Sequence, residues 1–304
     1  MAEHVLEVEN LMKSYGSSNT VDGTSFAVPR GKIIGFLGPN GAGKTTTIHT
    51  LLGITQSNGG TIRYFGKDFG EYRLASLQRI NTTSAFNTLQ GRITVWENLL
   101  VFAELYQVDN VTQKINTLLE RFEIDNLSSV LYNNLSAGQK TRVNFVKSLL
   151  NDPEIILMDE PTASLDPDIA DKALSLIEEL RRERNLSILY TSHNMPEITR
   201  ICDEVIFLDH GKIVAHDTPL NLTRRVSSAT LRLTFSDGRE AVERYLREKS
   251  QQFSFLGNNI VEISSDDDRI PDLLFGVSHV GVYITDIEIH KPTLEDVFLQ
   301  IARK

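Results

Sequence analysis

A glycine-rich loop that follows a short apolar run constrains this chain more than any other segment. Residues 32–37 read KIIGFL and residues 38–46 read GPNGAGKTT. This order predicts a buried strand, a loop that cradles the phosphates of a nucleoside triphosphate, and a helix that begins at the loop. Lys44 would reach the terminal phosphates and the Thr45 hydroxyl would ligate Mg²⁺. We expect phosphate contacts from Gly38, Pro39, Asn40, Gly41, Ala42, Gly43, Lys44, Thr45 and Thr46. The alternative is a strand-to-helix turn without a ligand.

Two more segments with a characteristic order lie further along the chain. Residues 134–139 read NLSAGQ, and residues 155–160 read IILMDE. Ser136 is a suitable N-cap for the helix-like stretch that follows it. Asp159 and Glu160 come after an apolar strand, where acidic side chains also occur simply because strand ends meet solvent. Taken alone, the first segment predicts only a good helix start and the second only a strand end.

Together with the phosphate loop, these segments resemble those of ATP-binding-cassette (ABC) ATPases. In that family a signature, typically LSGGQ, lies shortly before an apolar strand that ends in Asp-Glu. The resemblance covers residues 5 to about 218 and implies an α/β fold, namely a P-loop NTPase cassette with a mixed sheet core and a helical subdomain. It also implies ATP hydrolysis, with ATP and Mg²⁺ bound. Ala137 replaces a glycine of the usual signature, and its methyl group narrows the backbone freedom there.

The resemblance assigns a role to each polar residue of the predicted site. Asp159 would hold Mg²⁺ with Thr45, and Glu160 would polarise the attacking water. His193, which follows the predicted strand at 187–190, would touch the γ-phosphate, although a lone histidine in this position is more often structural. Tyr15 would stack on adenine, whereas without the resemblance it is an exposed tyrosine near a turn.

A second group of residues is implied to face another copy of the cassette. The residues of the signature are Ser136, Ala137, Gly138 and Gln139, and in the family they face the γ-phosphate bound by a second subunit. Ser164 to Asp166 match the family's dimer-contact loop. If the phosphate loop of each copy packs against the signature of the other, the two cassettes form a two-fold dimer, either a homodimer or a heterodimer.

The chain departs from the family pattern at one place. A glutamine that contacts Mg²⁺ normally precedes a stretch such as residues 93–99, whereas residues 81–87 read NTTSAFN. Gln90 is too close to the following helix for this role, so Ser84 or a water would substitute.

Composition and charge restrict the classes of function. The formal net charge of −9 argues against binding nucleic acid through the chain's own surface, so no nucleic-acid partner is expected. The single cysteine, Cys202, permits no internal disulfide and suits a reducing compartment. No apolar run is long enough to span a membrane, and the N-terminal residues lack the pattern of a signal peptide. We therefore expect a peripheral subunit on the cytoplasmic face of the membrane, bound to a separately encoded transmembrane permease.

The secondary-structure pattern changes twice along the chain. Strands and helices alternate in residues 1–220, which predicts a parallel sheet with crossover helices, interrupted by a helical subdomain at about 85–151. A new pattern of strands and helices begins after residue 220 and predicts a small α+β domain at 221–304. Residues 291–299 read KPTLEDVFL, similar to the tail of ABC subunits that power exporters. Physically, this segment predicts an amphipathic helix that packs into a core through Leu294, Val297, Phe298 and Ile301.

These observations favour the ATP-hydrolysing subunit of a membrane exporter. One alternative is a soluble ABC ATPase that acts on ribosomes or DNA. Such relatives usually carry two cassettes or a long insertion, and neither is visible here. Another alternative is a regulatory module that binds ATP without turnover, which the presence of Lys44, Asp159, Glu160 and His193 disfavours.

Overall fold

The computed structural model describes residues 3–16, 18–84, 88–163, 165–224 and 229–302. The chain divides into two compact units, Met1–Pro219 and Leu220–Lys304. The strands of the first unit are β1 (His4–Tyr15), β2 (Ser18–Pro29), β3 (Ile33–Leu37), β4 (Gly59–Tyr64), β5 (Lys67–Asp68), β6 (Ile80–Ser84), β7 (Ile155–Asp159), β8 (Ser187–Thr191), β9 (Glu204–Asp209) and β10 (Lys212–Asp217). Its helices are α1 (Lys44–Leu51), α2 (Arg73–Leu77), α3 (Val95–Leu105), α4 (Val111–Arg121), α5 (Ala137–Ser148), α6 (Pro167–Arg184) and α7 (Met195–Ile201), and α8 (Pro219–Arg224) crosses the boundary between the units.

A six-stranded sheet forms the centre of the first unit, in the order β10-β9-β3-β8-β7-β6. All neighbours in it are parallel except β10, which is antiparallel to β9. The predicted parallel sheet with crossover helices is therefore confirmed, with one antiparallel edge strand. β3 is buried along its whole length because its neighbours cover both edges and its residues are apolar. The phosphate loop thus leaves the sheet from a central strand.

The second sheet of this unit is antiparallel, in the order β2-β1-β4-β5. β1 and β2 have twelve residues each, whereas the apolar and β-branched residues of the sequence predict only short strands at 5–8 and 25–28. The register of the β1–β2 pair shifts at several points, so apolar and polar residues do not alternate regularly along it. The sequence pattern therefore does not show the full length of these strands. The Asp22 amide on β2 donates to the Gly211 carbonyl at 2.9 Å, and the Gly211 amide donates to the Ala42 carbonyl at 3.2 Å. The hairpin is therefore linked to the phosphate loop through the turn between β9 and β10.

Helices α3, α4 and α5 form the helical part between β6 and β7. Thr94 caps α3 through a capping box, in which Thr94 Oγ1 accepts from the Glu97 amide and the Glu97 carboxylate accepts from the Thr94 amide. Ser136 and Gln139 form the same reciprocal arrangement at the start of α5. Residues 85–87, which lie at the predicted start of the helical subdomain, fall outside the described residues.

The second unit contains β11 (Ala229–Phe235), α9 (Arg239–Glu248), β12 (Gln252–Phe255), β13 (Ile260–Ser265), α10 (Ile270–His279), β14 (Ile284–His290) and α11 (Leu294–Ala302). Its sheet is antiparallel in the order β12-β13-β11-β14. The buried side chains of β11 alternate with half-buried ones, and they pack with residues of α9 and α10 in one apolar core. Leu294 and Val297 of α11 are buried, as the amphipathic pattern predicts. The side chain of Ile301 lies outside the description.

Candidate nucleotide site

The phosphate loop joins β3 to α1, as the sequence predicts. Gly43 is the N-cap of α1 with a φ of 101°, and it provides no side-chain cap for the amides of the first turn. A Cβ atom on Gly43 would lie 2.3 Å from the carbonyl oxygen of Thr20, so both the backbone conformation and the packing require glycine here. The uncapped helix start places backbone N–H groups and the positive end of the helix dipole at the loop, which suits an anion.

Lys44 lies at the base of this loop and is 6% exposed. Its ammonium group donates to the carbonyl oxygens of Gly38 at 2.7 Å and Pro39 at 3.2 Å. Burial lowers the pKa of Lys44, and the negative charges of Glu160 and Asp159 raise it in part. The cation is therefore partly desolvated and lies in the field of two carboxylates, so it is placed to interact with an anionic ligand.

A cleft of about 540 Å³ opens beside the loop. Its volume is within the range of small-molecule sites. It brings together residues from the phosphate loop with α1, the end of β6 and the end of β7, and these include Asn40, Thr45, Thr82, Ser84, Asp159 and Glu160. Hydroxyl and carboxylate oxygens are the donors that Mg²⁺ prefers, so Thr45 and Asp159 are chemically suited to hold this ion.

Thr191 at the end of β8 organises the two acidic residues. Its hydroxyl donates to Asp159 Oδ1 at 2.7 Å and accepts from the Glu160 amide at 3.0 Å. The Glu160 amide also donates to the Thr191 carbonyl oxygen at 3.1 Å. This role of Thr191 was not predicted, because nothing in the sequence pattern shows that its hydroxyl bridges two strands.

His193 lies beside Glu160, with its Nδ1 atom 3.3 Å from Glu160 Oε2. The histidine side chain is 65% exposed, whereas that of Glu160 is 19% exposed. The backbone of Glu160 has a φ of 48°, in the left-handed region that residues other than glycine rarely adopt. Such strain often occurs at functional sites, where surrounding contacts maintain it.

Other predicted site residues do not line this cleft. Ser136, Ala137, Gly138 and Gln139 are at the first turn of α5, where Ser136 is exposed and its hydroxyl accepts from the Gln139 amide. Gly138 is closely packed, since a Cβ atom there would lie 3.0 Å from Ile169 Cδ1. Asp166 is the N-cap residue of α6. Ser164 is outside the described residues.

Tyr15 is at the end of β1 and is 54% exposed. The Lys13 ammonium lies 4.9 Å from the centre of its ring, in a cation–π contact. An exposed ring of this kind is available for stacking, and its predicted contact with adenine remains a prediction.

The segment that lacks the family's glutamine has a defined neighbour. Ser84 pairs with Asp159 in the register of β6 and β7 and lines the cleft. The backbone of Gln90 is held by α3 instead. The Asn98 side chain accepts from the Gln90 backbone amide and donates to the Gln90 backbone carbonyl oxygen, both at 2.9 Å. Ser84 therefore lies nearer than Gln90 to the predicted Mg²⁺ ligands.

Glu197 is a further residue that the sequence analysis missed. It lies on α7 and accepts hydrogen bonds from one side chain in the segment after Glu160 and from another in the segment before His193. The spacing of Asn194 and Glu197 is that of a capping box, so the pattern could have indicated a helix start, although not these contacts.

Comparison with known proteins agrees with this architecture. The profile of the ABC transporter family matches residues 21–163. The Nod factor export ATP-binding protein I of Ralstonia nicotianae is 33% identical over 304 residues, covering 98% of this chain and 94% of the relative. The linearmycin resistance ATP-binding protein LnrL of Bacillus subtilis is 28% identical, covering 98% of each chain.

Solved structures share the fold over about three quarters of the chain. The ATP-binding subunit of an ABC transporter matches with a TM-score of 0.67 and 27% identity, covering 73% of this chain and 93% of that chain. The cbiO1 protein of Clostridium perfringens, part of the transporter complex cbiONQ, matches with a TM-score of 0.66 and 25% identity, covering 74% of this chain and 95% of that chain.

The fold and the site define an ABC ATPase cassette, which confirms the predicted fold class. The chain belongs to the family of ABC transporter ATP-binding proteins, whose members hydrolyse ATP to drive transport. Within the described residues, none of the helices combines the length and the apolar character needed to cross a membrane.

Proposed function

We propose that the chain binds ATP in the cleft beside the phosphate loop, hydrolyses it, and so powers a membrane exporter. The observation that carries this proposal is the convergence of Thr45, Asp159 and Glu160 on one cleft, with Lys44 and His193 beside them. Phosphoryl transfer depends mainly on positioning and on neutralising charge, and these residue types supply both.

Each residue has a defined task in the proposed reaction. The amides of the loop and the Lys44 ammonium bind the phosphates, and the Lys44 ammonium exchanges its contacts with Gly38 and Pro39 for phosphate oxygens. Thr45 and Asp159 would hold Mg²⁺, which would neutralise phosphate charge. Glu160 orients the attacking water, and His193 donates a hydrogen bond to the γ-phosphate while its other nitrogen faces Glu160.

The active form would contain two cassettes. Ser136 is exposed at the start of α5 and its hydroxyl retains an O–H that can be donated. In a head-to-tail dimer this group would reach the γ-phosphate of the other cassette, and Asp166 would lie in the dimer contact. Bound ATP would then favour the closed dimer, and its hydrolysis would favour the open dimer, because the two states bind the nucleotide with different affinities.

A separately encoded transmembrane permease would complete the transporter, with this chain on the cytoplasmic face. The relatives named for Nod factor export and for linearmycin resistance cover nearly the whole chain, including its second unit, and support export as the direction. The resemblance of residues 291–299 to the tail of exporter subunits supports the same direction.

A Glu160→Gln substitution tests the proposed reaction. We expect kcat for ATP hydrolysis to fall by about 100-fold or more, since a group that handles the proton of the attacking water contributes this much. ATP affinity should persist, and the variant should form a dimer in MgATP, measured by nucleotide binding and by size-exclusion chromatography with light scattering.

Glu71→Gln is the matched control, because Glu71 is exposed and the charge change is the same. It should leave hydrolysis and dimerisation unchanged. Equal turnover in the Glu160→Gln variant and the wild type would remove Glu160 from the mechanism. A wild-type chain that neither binds nor hydrolyses ATP would refute the proposed function, and recovery with ribosomes instead of membranes would favour the soluble alternative.

A further inference from the structure

A buried carboxylate lies behind the Glu160–His193 pair, and no part of the proposed reaction uses it. Glu197 on α7 is 7% exposed. Its Oε2 atom accepts hydrogen bonds from the hydroxyls of Thr162 at 2.8 Å, Tyr190 at 2.9 Å and Ser192 at 3.1 Å. Three hydroxyl groups from different positions in the sequence therefore converge on a single oxygen atom.

This environment is unusual for an acidic residue. Thr162, Tyr190 and Ser192 are themselves buried, and across the described parts of the chain Glu197 forms no salt bridge. A buried carboxylate without a cation depends on donated hydrogen bonds for its solvation. Burial and the neighbouring Glu197 carboxylate raise the pKa of Tyr190, which keeps its hydroxyl protonated as a donor. The remaining oxygen, Oε1, accepts from the Asn194 side chain at 3.2 Å.

The donors belong to the two segments that carry the catalytic pair. Thr162 comes two residues after Glu160, in the segment that leaves β7. Ser192 immediately precedes His193, in the segment that leaves β8, and its Oγ atom also accepts from the Asn194 amide at 3.0 Å. Tyr190, in contrast, lies inside β8. Glu197 is therefore bonded to both segments at once, and each bond is within two residues of a member of the pair.

We propose that Glu197 is a positioning residue that holds the segments of Glu160 and His193 together, so that the carboxylate and the imidazole keep the distance at which they act on the nucleotide. The 3.3 Å separation of the pair and the left-handed backbone of Glu160 both need such support, since a strained residue keeps its conformation only when its surroundings determine it. This inference rests on the proposed function, because it concerns the geometry of the same site.

Three variants that each remove one hydroxyl test this inference. Thr162→Val and Ser192→Ala each remove the hydroxyl that ties one of the two segments to Glu197 Oε2, while the carboxylate and the Asn194 contact with Oε1 stay in place. Tyr190→Phe is the matched control, because it removes a bond to the same oxygen atom from a residue inside a strand. It also removes the 3.2 Å contact of the Tyr190 hydroxyl with Thr162 Oγ1, but it leaves the Thr162 bond to Glu197 in place. We expect Thr162→Val and Ser192→Ala to lower kcat by about 10-fold or more with KM for ATP within about twofold, since small misplacements of reacting groups reduce rates strongly.

Tyr190→Phe should lower the thermal midpoint of unfolding by an amount similar to the other two variants and change kcat by less than about threefold. Glu197→Leu removes both ties and should lower kcat at least as much as either single variant. If this variant does not fold, the three hydroxyl variants decide. Rates are measured well below every unfolding midpoint, so that loss of folded protein does not enter.

The outcomes separate the two proposals. If all three hydroxyl variants lower the unfolding midpoint but hydrolyse ATP at the wild-type kcat, Glu197 has only a structural role and the inference is wrong. A fall in kcat that is equal in all three variants, including Tyr190→Phe, also overturns it. Absence of hydrolysis by the wild-type chain refutes the proposed function itself.

Discussion

The left-handed backbone of Glu160 illustrates what single residues contribute to this site. Its amide is held by the hydroxyl and the carbonyl oxygen of Thr191, and its carboxylate lies beside His193. A conformation of this kind costs about 1–3 kcal/mol, which the neighbouring contacts must offset. The catalytic arrangement therefore depends on residues that would not touch the nucleotide, and their contribution to activity is indirect.

A Gly43→Ala substitution tests the requirement for glycine at the start of α1. We expect a loss of stability of about 1–3 kcal/mol from backbone strain, with a further loss of about 1–3 kcal/mol because the new Cβ atom would overlap the Thr20 carbonyl oxygen. Displacement of the loop should also weaken ATP binding by about tenfold or more, as one lost charge-assisted hydrogen bond would. Urea unfolding and nucleotide titration measure the two effects.

Gly23→Ala is the control for backbone strain. Gly23 also has a positive φ, 72°, but nothing lies within 4 Å of a Cβ atom placed there. It should lose stability through strain alone and retain ATP binding. Equal effects of the two substitutions on stability and on binding would show that the contact with Thr20 is unimportant.

The sequence predicts charged residues and phosphate contacts for the proposed site, but it does not indicate the residues that position them. Lys44 lies in a glycine-rich loop with a distinctive pattern, and Asp159 and Glu160 gain their meaning from their order after that loop and the signature. Thr191 and Glu197 act across strands and segments that are distant in sequence, and no local pattern encodes a partner of that kind. Their roles require the fold.

At the level of helices and strands, the clearest failure is β6, which the sequence analysis did not predict. Residues 80–84 read INTTS, with no alternation of apolar and polar residues. Asn81 and Thr83 are nevertheless buried, and tertiary contacts satisfy the polar side chain of Asn81. The Asn81 side chain accepts from the Lys147 ammonium at 3.0 Å and donates to Asn151 at 2.7 Å. Polar burial of this kind cannot be read from hydrophobic periodicity.

Lys147, which joins α5 to β6, should make the free energy of unfolding depend on pH. Burial lowers the pKa of Lys147 from 10.5 to about 8. Between these two values the unfolded chain binds more protons at this residue than the folded chain, so stability rises with pH. Up to about 1.4 kcal/mol per pH unit can come from one group. In Lys147→Met this increment should disappear from the free energy of unfolding between pH 8 and 10.5, measured by urea titration with the fluorescence of Trp96, the single tryptophan.

The exposed Lys172 offers a matched control, since Lys172→Met removes the same charge from the surface. Its stability curve should run parallel to that of the wild type over this pH range. If the Lys147→Met curve is also parallel to the wild type, burial does not disfavour the charged form of Lys147, and the predicted direction of the pKa shift is wrong.

At the scale of the whole molecule, each unit contains an apolar core built from its own residues. One core cluster of the first unit draws on residues between 5 and 213, and one of the second on residues between 229 and 284. A core of its own is what allows a domain to fold independently. We therefore propose that the boundary near residue 220 separates two domains, and that the proposed nucleotide site belongs entirely to the first.

Expression of residues 1–219 alone tests this separation. The fragment should fold cooperatively and bind ATP with a dissociation constant within about threefold of that of the full chain, a difference of less than about 0.7 kcal/mol. Circular dichroism and nucleotide titration are the measurements, with residues 220–304 as the companion fragment. A first fragment that aggregates or loses its affinity for ATP would show that the second unit is needed for its stability.

The hydrogen bonds from Asp22 through Gly211 to Ala42 have a practical consequence for anyone who labels or re-engineers this protein. Surface hairpins are common choices for dyes, tags and peptide insertions because they look remote from chemistry. Here backbone hydrogen bonds link the hairpin of β1 and β2 to the phosphate loop. An insertion near residues 20–22 would therefore alter the very signal it was meant to report.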